Sequence, residues 1–152
     1  MESRTVGELD ETPNAAANGV ISEELRVDTE GQQVVDLTDQ VRRFCAGKGD
    51  GLVQAFVPHT TAALVLIELD AGSDLDLLRW LQRALPPEGD YRHRHGRPGH
   101  GADHLVPALL GSSVAVPVLE GVPALGTWQS VALVDINRDN NQRRVRLSFL
   151  AG

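Results

Sequence analysis

Four of the five histidines of this chain fall in one stretch, YRHRHGRPGHGADH, where they are His93, His95, His100 and His104. The fifth, His59, stands in FVPHTTAALVLIE. Imidazole is the commonest metal ligand and titrates near neutrality, so such a cluster suits metal binding or proton transfer. A metal site needs several such ligands converging from separate segments. His93 and His104 lie at the two ends of a glycine-containing loop, and His59 follows an apolar segment beside Pro58. The spacing matches no HExxH signature. It is a cluster by composition, and a lone loop histidine such as His95 or His100 reads equally as a solvated surface residue.

Other groups could serve such a site. Glu68 directly follows an apolar run and suits a general base or a metal partner near His59. Asp74 and Asp76 complement a helix N-terminus. Asp135 interrupts the apolar VALVDI and reads as an outward residue of a strand's alternation. Thr60 and Thr61 offer hydroxyls and backbone amides to a phosphate, or are β-branched strand residues. Gln129, in the turn GTWQ, can hydrogen-bond a ligand, and Trp128 beside it reads as a core or subunit-contact residue. Arg143 and Arg144 can grip a phosphate in bidentate fashion, although an exposed strand face also accounts for Arg144 and Arg146.

The elements that must position these groups follow from periodicity. Residues 1–18 have no pattern and read as a disordered tail. The domain spans residues 19–152. Ile21, Glu23, Leu25, Val27 and then Gln33, Val34, Val35, Leu37 predict a hairpin of two strands joined by a turn at Glu30-Gly31. Thr38 looks like the N-cap of a helix over Asp39–Ala46. Gly51–Pro58 and Thr61–Ile67 predict strands, the second buried on both faces because it is nearly all apolar. Leu75, Leu78, Leu81 and Leu85 mark the buried stripe of a helix from Ser73 to Ala84, capped by Ser73 and ended by Pro86-Pro87. The loop 88–102 is long enough to be functional. One or two helical turns fit residues 103–110. Strands Ser113–Leu119, Trp128–Ile136 and Arg143–Leu150 close the chain. Strands, then helices, then antiparallel strands make an α+β domain.

Composition narrows the function. A formal net charge of −7 argues against nucleic acid or an anionic membrane as partner. Aromatic residues are only 4% of the chain, so the core must be aliphatic. The single cysteine, Cys45, excludes an intrachain disulfide and reads as a buried thiol at the apolar end of a helix. With neither a signal peptide nor a long apolar run, the expected location is the cytoplasm. There is no glycine-rich phosphate loop, GxSxG or CxxC.

From Val20 onward, HTTAALVLIE, YRH…DHL and GSSVAVPVLEGVPALGTWQSVALVD resemble the YjbQ-like family, described as secondary thiamine-phosphate synthases. The resemblance implies two packed, mostly antiparallel sheets with two to three helices, and a homotrimer with sites near the subunit boundaries. It implies a polar cluster of His59, His93 and His104, suited to a divalent metal (zinc or magnesium) or an anion. Glu68 and His59 then stand as catalytic residues, with Thr60, Gln129 and Arg144 on a small phosphorylated substrate. His95 and His100 fall on positions where the family pattern is looser. This chain departs from it where Asp103 replaces an alanine and where RDNNQRR replaces an Asp-Gly-Pro-Arg turn. The implied reaction joins hydroxymethylpyrimidine diphosphate to a thiazole phosphate and releases pyrophosphate. A metal-dependent hydrolase and a non-enzymatic metal- or ligand-binding trimer are the alternatives.

Overall fold

The computed structural model describes residues 19–152, so the expectation of a disordered tail lies outside the described residues. Eight strands and four helices follow in the order β1 (Val20–Asp28), β2 (Val34–Asp36), α1 (Thr38–Cys45), β3 (Gly51–Phe56), β4 (Ala63–Ile67), α2 (Ser73–Ala84), α3 (His100–Asp103), α4 (Val106–Leu110), β5 (Ser113–Leu119), β6 (Val122–Pro123), β7 (Ser130–Val134) and β8 (Gln142–Ala151). They form a five-stranded sheet, β1-β8-β3-β5-β6, and a three-stranded sheet, β2-β7-β4. All pairings are antiparallel.

The two sheets face one another across an aliphatic core. Strict alternation in β8 sends Val145, Leu147 and Phe149 inward, where they meet Leu25 and Val27 of β1, Val53 of β3 and Val116 and Val118 of β5. Leu64, Val131 and Leu133 come from the small sheet, and Val41, Phe44 and Cys45 from α1. A second apolar cluster lies on the other face of the small sheet, where Ala63 and Val134 meet Leu81, Leu85, Ala102 and Val106 from the helices. The order of layers is therefore large sheet, small sheet, helices. At about 25 cal/mol per Å² of apolar surface removed from water, such double-sided burial is the main stabilising term.

Five expectations need correction. The first two strands form no hairpin, because the turn between them carries the chain from one sheet to the other: β1 pairs with β8 and β2 with β7. The strand buried on both faces is β7, whose Val131, Ala132, Leu133 and Val134 are all buried. β4 is an edge strand beside it, and Leu66 is exposed. Thr38 and Ser73 are the first helical residues and make no cap hydrogen bond of their own. Asp36 takes the Thr38 N–H at 2.9 Å, and Gly72 enters α2 in the left-handed region, where glycine has no Cβ to clash. The stripe on α2 is narrower than predicted: Leu75 is exposed, while Leu81 and Leu85 are buried. Trp128 is 74% exposed and is no core residue.

Candidate metal centre

The helical layer carries the histidine cluster. His100 opens α3 and His104 follows its last residue, one turn later, so both rings project from the same side. Gly99, at φ 90°, turns the loop into this helix. The loop bearing His93 then runs directly over α3. It can do so because position 101 has no side chain: a Cβ there would lie 2.7 Å from the His93 carbonyl oxygen and 2.7 Å from Tyr91 Cβ. Tyr91 donates its hydroxyl to the Pro86 carbonyl at 2.9 Å and pins the start of the loop.

Three imidazoles converge as a result. One ring nitrogen each of His93, His100 and His104 lies within 4.8 Å of the others. The ring centres of His93 and His104 are 4.2 Å apart, and those of His100 and His104 4.8 Å. His95 lies tilted beside them, its ring centre 4.0 Å from that of His93 and 6.3 Å from that of His104, and is not part of the converging set. Burial and the neighbouring imidazoles push His93 and His104 below the usual histidine value, so both favour the neutral, ligating form.

Behind His100 stands a carboxylate. His100 Nδ1 donates to Asp139 Oδ2 at 2.8 Å, which fixes the tautomer and leaves the Nε2 lone pair facing His104 Nε2 at 3.0 Å. Asp139 also pairs with Arg97 Nε at 3.2 Å. Its backbone N–H is held by Asn137 Oδ1 at 2.9 Å, and Asn137 Nδ2 donates to buried Asp103 at 2.9 Å. Burial pushes the Asp103 carboxyl up, against the opposing pull of the Asn137 hydrogen bond. One turn of chain thus ties α3 to the segment between β7 and β8.

His59 has a different setting. Its Nε2 accepts the Arg144 backbone N–H at 3.0 Å, and its Nδ1 faces Arg143 Nη1 at 3.3 Å. It therefore meets donors on both sides. Burial first, then Arg143 and Arg144, push it below the ordinary histidine value. Arg143 points inward, not Arg144, and grips buried Asp135 with Nε at 2.6 Å and Nη2 at 2.9 Å. Its Nη2 also donates to Thr61 Oγ1 at 3.0 Å. Asp135 is thus no outward residue of the strand: it is buried because it neutralises a buried guanidinium. His59, Thr60 and His104 line one groove of about 480 Å³, walled by Phe56, Val57 and Pro107.

The remaining expected residues lie elsewhere. Glu68 follows Ile67, which pairs with Ser130, whereas Asp135 follows Val134, which pairs with Ala63. Glu68 and Gln129 therefore stand at the end of the β4–β7 ladder away from Asp135 and its partner Arg143, with roughly 13 Å of strand between. Gln129 is exposed and folds back, its Oε1 accepting the Gly126 N–H at 2.8 Å. Arg144 is exposed, 3.8 Å from Glu24. Within one chain the structure brings His93 and His104 together, adds His100, sets His59 and Thr60 along the adjoining groove, and leaves Glu68 and Gln129 at the far end.

The described family "UPF0047 protein YjbQ-like" matches residues 23–152. The chain belongs to this family. A UPF0047 protein of Mycobacterium tuberculosis is 58% identical over 128 residues, covering 84% of this chain and 96% of the relative. One from Archaeoglobus fulgidus is 41% identical over 112 residues, covering 73% and 86%. Among solved structures, a YbjQ-like protein of unknown function from Sulfolobus solfataricus superposes with TM-score 0.80 at 30% identity, covering 88% of this chain and 98% of that one. A YjbQ/UPF0047 protein of Clostridium acetobutylicum does so with TM-score 0.75 at 29% identity, covering 84% and 98%. The YjbQ-like fold, α+β with two antiparallel sheets, is thus that of this chain. Among the described residues no helix is long and apolar enough to cross a membrane.

Proposed function

We propose that this YjbQ-like protein is a metal-dependent enzyme acting on a small phosphorylated substrate, and that its reaction is of the secondary thiamine-phosphate synthase type. The observation that carries the reading is the convergence of His93, His100 and His104, backed by Asp139, at the end of the groove that also holds His59. An all-nitrogen ligand set favours zinc over magnesium, which prefers oxygen and holds its water. When bound, the ion would supply positive charge against a leaving diphosphate.

The chain's own residues divide the remaining work. The His59 Nδ1–H and Arg143 Nη1 are two donors facing each other, and an anionic oxygen between them would satisfy both. That makes them the anchor for a phosphate, with the Thr60 hydroxyl beside them. The groove walls Phe56 and Pro107 would give the pyrimidine ring an apolar surface to lie against. In the transfer, the methylene C–O bond breaks with its electron pair leaving on pyrophosphate, and the thiazole nitrogen supplies the pair for the new C–N bond. Glu68 and Gln129 would reach such a site from a neighbouring copy in a homotrimer, which accords with their exposure on each chain, while Arg144 stands beside His59 in the same chain.

A second reading, a metal-dependent hydrolase, is favoured by one feature: three nitrogen ligands leave a tetrahedral zinc one open position for water. Zinc-loaded protein incubated with hydroxymethylpyrimidine diphosphate and thiazole phosphate separates the two. Thiamine phosphate formed in step with pyrophosphate, and abolished in H104A, is the expected result. Stoichiometric zinc with hydrolysis of phosphate esters but no thiamine phosphate would establish the hydrolase. Protein that takes up no zinc would end both readings.

A further inference from the structure

A cavity of about 240 Å³ lies between α2, the start of α3 and the segment after β7, with Asp139 in its lining. Leu78, Leu81, Leu85 and Ile136 line it, and Arg97 and Arg138 stand at its rim. We propose that this cavity is a binding site, beside the histidine centre, for a small amphipathic anion: an aromatic or branched apolar body carrying one carboxylate or phosphate.

Size, surface and charge each support this class. The volume sits just under the ~300–1,000 Å³ of pockets that take drug-sized ligands, so a single ring or a branched chain fits. The leucines and Ile136 offer an apolar floor that gains from displacing water. The acidic groups of the lining are already engaged: Asp139 by Arg97 and His100, Asp103 by Asn137. Arg138 is exposed and has no hydrogen bond or ion pair among the described residues, so its guanidinium is the one uncompensated charge at the rim. A second hollow of about 370 Å³ adjoins it and shares Gln33, Ile136 and Arg138, which leaves space for the anionic head beside the arginine. A fork-shaped guanidinium above an apolar floor selects a planar anion over a neutral or cationic isostere.

The test is a titration of metal-free, methyl-labelled protein with benzoate, so that it stands or falls independently of the histidine centre. Saturable shifts confined to the methyls of Leu78, Leu81, Leu85 and Ile136 are expected, with phenyl phosphate acting alike. Benzamide and benzylamine should bind at least about tenfold more weakly, since neither offers the guanidinium an anionic oxygen. R138A should weaken benzoate by a similar factor while R83A, on an exposed arginine of α2, leaves it unchanged. An unperturbed methyl spectrum of R138A would show that the fold is intact. Absent or diffuse shifts, equal binding of benzamide, tighter binding of benzylamine, or an R138A titration matching wild type would each overturn the proposal.

Discussion

Asp139 Oδ2 lies 2.8 Å from His100 Nδ1, and this one hydrogen bond sets which His100 nitrogen is free to ligate. Asn in its place would keep the size and lose the charge. D139N should therefore lower zinc affinity about 10–100-fold, the usual range for a lost outer partner of a ligating histidine. Competition with a chromophoric chelator measures it. D90N, which removes only an exposed ion pair with Arg94, should leave the affinity unchanged.

The two loop histidines at looser positions of the family pattern should separate in the same assay. His100 converges with His93 and His104, whereas His95 lies beside them. H100A should abolish stoichiometric zinc binding, and H95A should stay close to wild type. An equal loss in both would move the centre toward His95.

Gly101 positions the loop that bears His93. In G101A the new methyl would press on the His93 carbonyl and on Tyr91, and these cannot move without displacing the His93 ring. Overpacking of this kind costs about 1–3 kcal/mol. The expected outcome is a lower denaturation midpoint together with weakened zinc affinity, against unchanged affinity in G152A, whose Cβ comes no closer than 3.6 Å to the Asp50 carbonyl oxygen.

Acidification should destabilise the metal-free protein. His59 is held below its ordinary value of 6.5, so below that pH the unfolded chain binds a proton that the folded chain does not. The unfolded state then gains, and stability falls as pH drops from 6.5 and is flat above it. His93 and His104 act in the same direction. Asp103, held above 3.8, acts oppositely: its contribution is complete below 3.8 and is lost as pH rises from there through its folded value. Urea midpoints at about pH 7.5 and 5.5 should differ, and H59Q should narrow the difference.

Breaking the Arg143–Asp135 pair should be costly. Both side chains are almost wholly buried, and removal of either leaves a charge with no partner. R143A or D135A should lose about 3–5 kcal/mol of unfolding free energy. R146A, in an exposed pair with Glu24 on the same strand, should lose under about 1 kcal/mol.

Much of the fold was legible because its signals are local. The alternation of Val145, Leu147 and Phe149 and the span Ser73–Ala84 needed only period and breakers. Which apolar strand lies at the centre did not, since β4 and β7 read alike and only sheet order tells them apart. At the site, His93 and His104 were legible and His100 was not. A helical turn begun at Asp103 left His100 in the loop, whereas one begun at His100 puts it four residues from His104 on a shared face. Asp139 had no signal at all, because its approach to His100 depends on how the turn after β7 folds back. Asp135 was misread for a related reason: a buried carboxylate and an outward one look the same until the buried guanidinium is placed.

The Arg143–Asp135 pair also limits which sequences this protein can reach by single changes. Two apolar residues of matching shape could replace the pair at little net cost, yet either change alone strands a buried charge. With total stability of about 5–15 kcal/mol for a typical domain, that halfway form stands near the edge of folding. A lineage can therefore leave this arrangement only after other substitutions have raised its stability, or by changing both positions together. Arg143 also touches His59 and Thr61, so the same barrier shields the groove from drift.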